Sequence, residues 1–103
     1  MSRREKIEAM LSETPEDTFL KYALALEWDK ENEHEKSLTL FQDLMNAQPA
    51  YVPAFFMAGQ MLARIDREND ARPIIEQGIK EARQQGNDHA AGEMTQFLEM
   101  LNG

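Results

Sequence analysis

SLTLFQDLMNAQP, Ser37 to Pro49, has an echo on either side of it. Counting 34 residues back from Phe41 and Met45 reaches Ile7 and Leu11, and 34 forward reaches Ile75 and Ile79, all of them apolar. The same step joins Pro49 to Pro15 and Ser37 to Ala71, so bulky, small and helix-ending positions recur together. A fixed period of this size is the mark of a repeat built from one helical hairpin. Repeats of that kind stack to bury their apolar faces and present an extended surface for binding.

Within the stretch, Leu38, Phe41, Leu44 and Met45 lie at helical spacing. They predict a helix over residues 33–47, stopped by Pro49, whose ring disfavours helix in the residue ahead of it. Upstream, Ile7, Met10 and Leu11 form a stripe on a short helix over residues 2–12, marginal alone and therefore docked against something. Thr14 and Pro15 read as the N-cap and first position of the next helix. That helix is apolar on more than one side, with Leu24, Ala25 and Trp28 on one face and Phe19, Tyr22 and Leu26 on its neighbour, until DKENE ends it.

Downstream, a fourth helix starts near Pro53 and ends near Ile65, carrying Phe55, Ala58, Gly59 and Leu62 inward. A polar turn over residues 66–69 leads to a fifth, capped by Asn69 or Asp70, with Pro73 in its first turn and Ile74, Ile75, Gly78, Ile79 and Ala82 inside. Gly86 predicts its stop, and Asn87 or Asp88 caps a sixth helix with Ala90, Met94, Phe97 and Leu101 on one side. Gly59 and Gly78 lie inside strong helical patterns, where each costs ~1 kcal/mol against alanine, so helix backbones are expected to approach closely there.

The chain has 103 residues, 42% of them hydrophobic and 29% charged, which predicts one soluble domain with an ordinary core. Its formal charge of -8 sets it against phosphate backbones and anionic membranes, so neither nucleic acid nor membrane is expected as a partner. There is no cysteine, hence no disulfide framework and no thiolate metal site. No signal-peptide pattern and no bilayer-length apolar run is legible, which makes the cytoplasm the expected location.

These residues resemble the tetratricopeptide repeat family, whose unit is two antiparallel helices with a large-then-small apolar pattern on the first and a Pro closing the second. Leu24, Ala25, Trp28, Ser37, Phe41, Leu44 and Pro49 match it in a first unit. Phe55, Ala58, Gly59, Leu62, Ala71, Ile75 and Gly78 match it in a second. The resemblance implies an all-α, right-handed superhelical stack of antiparallel hairpins with about six helices in a single domain over residues 1–103. A truncated-repeat helix (2–12) is followed by full repeats at 15–49 and 50–85 and a C-terminal capping helix (87–101). Three departures stand out. Lys21 occupies the position Phe55 fills one repeat later, Arg83 replaces the closing proline, and an unbroken register would send Gly92, Glu93 and Gln96 into the core, so the last helix is read as shifted.

The resemblance further implies that the first helix of each pair lines a concave groove. Phe19, Tyr22, Ala23, Leu26 and Lys30 would face it from one repeat, and Phe56, Met57, Gln60 and Arg64 from the next. The positions that grip a C-terminal carboxylate in chaperone-binding members hold Phe19, Ala23, Pro53 and Met57 here, so that ligand is not implied. Apolar side chains would read the partner, with Lys30 and Arg64 placed to meet an acidic group.

No phosphate loop, nucleophile elbow or HExxH motif is present, and no catalytic residue or cofactor is expected. His34 among Glu31, Glu33 and Glu35 reads as a solvated turn, and His89 with Glu93 at i, i+4 is a pair of ligands without a third. The expected function is a non-enzymatic adaptor or scaffold that binds a peptide or protein segment in the groove. A homodimer through the same apolar face is the alternative.

Overall fold

Ser2 opens the first helix with a reciprocal cap: its hydroxyl accepts the Glu5 amide at 3.1 Å, and the Glu5 carboxylate accepts the Ser2 amide at 2.9 Å. The computed structural model describes residues 1–103 and contains six helices and no strand. They are α1 (Arg3–Glu13), α2 (Thr18–Lys30), α3 (His34–Met45), α4 (Val52–Arg64), α5 (Glu68–Gln84) and α6 (Asp88–Asn102). Each packs on the next in chain order, and α4 also touches α6.

Thr14 and Pro15 do not open α2. Thr14 closes α1, its amide and its hydroxyl both donating to the Met10 carbonyl at 3.1 Å. Pro15 then sits in a tight turn closed by the Asp17 amide on the Thr14 carbonyl at 3.0 Å, where its fixed φ suits the first central position. The cap of α2 is Asp17, whose carboxylate accepts the Leu20 amide at 2.9 Å.

Three junctions share one device. At Asn32, Asp66 and Gly86 the backbone enters the left-handed region, with φ of 62°, 63° and 75°. In each, the following amide reaches back to the last turn: Glu33 to Trp28 at 2.9 Å, Arg67 to Leu62 at 2.8 Å, Asn87 to Ala82 at 2.8 Å. This is the Schellman ending, which pairs carbonyls that a helix terminus leaves open. The same residues, Glu33, Arg67 and Asn87, are the N-caps of α3, α5 and α6, so one hydrogen bond both stops a helix and fixes where the next begins. Hence α5 starts at Glu68 rather than after Asn69 or Asp70, and Pro73 lies inside it on an exposed face instead of in the first turn.

Two core clusters meet across α4. Ala25, Phe41, Leu44, Ala54, Ala58, Met61 and Leu62 form one between α2, α3 and α4. Phe55, Ile75, Ile79, Ala82, Ala91 and Met94 form the other between α4, α5 and α6. The glycines sit where the helices come nearest. A Cβ on Gly78 would fall 2.5 Å from the Phe55 Cβ and 2.7 Å from the Met94 sulfur, and one on Gly59 would collide with the Ile75 side chain.

At the N-terminal end, Ile7 is buried but Met10 is about half exposed, contrary to the expected stripe, because α1 packs on α2 alone. Trp28 is held between the Arg4 guanidinium, 4.6 Å from its ring, and the Lys36 ammonium at 4.5 Å, a cation–π clamp joining α1, α2 and α3. Lys21 occupies its apolar position with a side chain only 22% exposed and sends its ammonium to Glu16 at 3.3 Å. With no proline at Arg83, α5 continues to Gln84 and ends at the Gly86 junction.

Candidate functional site

Because the helices alternate in direction and pack in sequence, α2, α4 and α6 share one side of the stack. A cavity of about 140 Å³ opens on that side, walled by Tyr22 of α2, by Val52, Pro53, Phe56 and Met57 of α4, and by Asn87, Ala90, Glu93 and Met94 at the start of α6. Val52 and Met94 form its buried floor, and Tyr22, Phe56, Met57 and Ala90 its half-buried sides.

The aromatic walls are braced from behind. Tyr22 meets Tyr51 edge-on at 5.2 Å between ring centroids and tilts against Phe41 at 6.3 Å. Burial, and to a lesser degree the neighbouring Tyr51, pushes the Tyr22 phenol above its usual range, so it is neutral near neutral pH and offers a hydroxyl rather than a charge. Phe56 meets Phe97 of α6 edge-on at 5.7 Å.

Of the groove residues expected from the sequence, Tyr22, Phe56 and Met57 are brought together around this cavity. Phe19 stands one turn before Tyr22 with 67% of its surface exposed. Ala23 and Gln60 are half-buried outside the cavity, and Leu26 packs against the first core cluster. Lys30 and Arg64 are both paired within the chain, with more than half of each side chain exposed. The Lys30 ammonium lies 3.3 Å from the Glu27 carboxylate, and Arg64 pairs with Asp29 at 2.6 Å.

Asp29 also receives His34 Nδ1 at 3.1 Å, so His34 turns to α2 rather than to Glu31, Glu33 or Glu35. His89 Nε2 lies 3.5 Å from Glu93, both side chains being mostly in solvent. No group of three or more His, Asp or Glu side chains is placed to hold a metal ion.

The α6 residues of the cavity wall, Asn87, Ala90, Glu93 and Met94, are not among those expected from the sequence. Their signal was present in the periodicity of Ala90, Met94 and Phe97, but a helix read as a cap is assigned to the core only. A second depression of about 750 Å³ lies on the other side, between the end of α3, the 46–50 connection and α5. It too was missed. Most of its rim, Asn46, Ala47, Gln48, Pro49, Pro73 and Gln77, is solvent-exposed, which makes it a surface furrow rather than an apolar pocket.

Solution and crystal structures of a tetratricopeptide repeat domain protein from Salinibacter ruber are 34% identical to this chain. The solution structure covers 84% of this chain and 88% of its own with a TM-score of 0.77, and the crystal structure covers 85% and 98% with 0.74. The chain belongs to the tetratricopeptide repeat family. A protein from Bordetella parapertussis, 22% identical, superposes over 99% of this chain and 89% of its own with a TM-score of 0.82, a likeness of fold. No protein-family model and no curated protein matches the chain. The repeat fold is one of general protein–protein interaction, and no helix here is long and apolar enough to cross a membrane.

Proposed function

We propose that this tetratricopeptide repeat protein is a non-catalytic adaptor that takes up a segment of another protein on the α2, α4 and α6 face. The observation that carries this is the cavity in which Tyr22, Phe56 and Met57, from two repeats, converge with the first turns of α6. Rigid aromatic and thioether walls around a small opening are what a binding site uses to seat an apolar anchor from its partner. A volume of about 140 Å³ suits a side chain, being well under the several hundred of a small-molecule site.

The test is partner capture by the native protein beside Tyr22→Ala and Met57→Ala variants with native helical circular dichroism. Loss of capture is expected, and undiminished capture by both variants removes the anchors. A second reading, a homodimer through the same face, is favoured by Phe19, which holds 67% of its surface in solvent there. Light scattering showing only monomer at high concentration removes it.

A further inference from the structure

We propose that the segment this face receives is cationic, an aliphatic side chain with a Lys or Arg beside it; this rests on the groove being the docking surface. The basis is the distribution of unpaired charge around the cavity. Each cation on α2 and α4 has an acid of its own chain: Lys21 has Glu16 at 3.3 Å, Lys30 has Glu27 at 3.3 Å and Arg64 has Asp29 at 2.6 Å, and α6 carries no Lys or Arg. Glu93, on the cavity wall, has no Lys or Arg partner, and its side chain is 51% exposed with only His89 Nε2 nearby, at 3.5 Å.

The helix starts at this end are partly closed to anions. Positive N-terminal dipoles attract anions through free amides. Here the Asp17 and Asn87 side chains already accept the Leu20 and Ala90 amides, and α4 has Pro53, which carries no amide hydrogen, in its first turn. The chain as a whole carries -8, so the long-range field steers a basic segment in and an acidic one away. An apolar cavity with a lone carboxylate at its mouth therefore fits Leu or Met in the pocket and a basic neighbour on Glu93.

Synthetic peptides that share a central pair of leucines and differ only in flanking Lys, Gln or Glu supply the probes. Methyl-labelled methionine NMR supplies the readout, because Met57 and Met94 line the cavity and Met100 is exposed beyond it. The Lys peptide is expected to shift Met57 and Met94 and to bind about ten-fold tighter than the Glu peptide at low salt, about 1.4 kcal/mol, with the gap narrowing as salt rises. Glu93→Gln is expected to bring the Lys peptide to the level of the Gln peptide, and Glu93→Lys to reverse the order.

Equal affinity of all three peptides with the same methionine shifts overturns the charge assignment and leaves the groove standing. Tighter binding of the Glu peptide overturns it outright. If no peptide moves Met57 or Met94, the groove reading falls and the inference with it. If those resonances move with protein concentration alone, the occupant is a second copy of the chain, which also overturns it.

Discussion

The Ser37 hydroxyl donates to the Ala25 carbonyl at 2.6 Å, and neither residue exposes any surface. This bond ties α3 to α2 at the point where the large-then-small pattern of the first repeat places its smallest residues. One repeat later the same two positions are Gly59 and Ala71, and the contact is made by closeness alone. Ser37→Ala should therefore be tolerated at a cost of about 0.5–1.5 kcal/mol, the net worth of one hydrogen bond. Urea unfolding measures it, and a loss several times larger means that the hydroxyl supports more than this one contact.

Gly78→Ala should destabilise by about 1–3 kcal/mol despite the helical gain of alanine, since its Cβ meets the Phe55 Cβ, which cannot move without its backbone. Gly59→Ala should cost less, because what it meets are the outer side-chain atoms of Ile75, which are displaced more readily than a Cβ. Thermal or urea denaturation of both variants gives the order, and the reverse order contradicts the packing described for α4 and α5.

The junction residues predict opposite signs. Gly86→Ala forces a Cβ into φ 75° with nothing within 4 Å to contact, and should cost about 1–2 kcal/mol. Asp66→Gly releases φ 63° from the same restriction and should leave stability unchanged or raise it by up to about 1 kcal/mol.

At the N-terminus, the Ser2 amide and then its hydroxyl hold the Glu5 carboxyl below its ordinary 4.5. A depressed carboxyl stabilises the fold above its unfolded value and loses that contribution as pH falls through the folded one. Acidification should therefore loosen α1 before the two repeats, and Ser2→Ala should make α1 less sensitive to acid. Amide exchange followed by NMR across the acid range reads this helix by helix.

Much of the fold was legible because the 34-residue echo samples residues with one job: Phe41 and Ile75 are both fully buried, and Ile7 and Ile79 nearly so. The junctions also repeat at that spacing, Asn32 to Asp66, but left-handed Asn and Asp carry a weaker signal than glycine, and both passed as ordinary polar turn residues. The lining of the cavity was half legible. Tyr22, Phe56 and Met57 were placed on one side by the family resemblance, whereas the pairing of Arg64 with Asp29 joins residues on separate repeats, which no local pattern reveals. The helix α6 reads as a cap because α5 runs to Gln84, which shifts α6 out of the register of α2 and α4.

The most direct test of the docking face is photo-cross-linking in the native cell extract with a photo-reactive side chain, methionine-shaped so that the anchor is kept, at position 57, on the cavity wall, or at position 77, on the opposite furrow. Adducts with a discrete partner are expected from position 57 and not from position 77. Adducts from position 77 alone would contradict the assignment and move the binding surface to the other side of the stack.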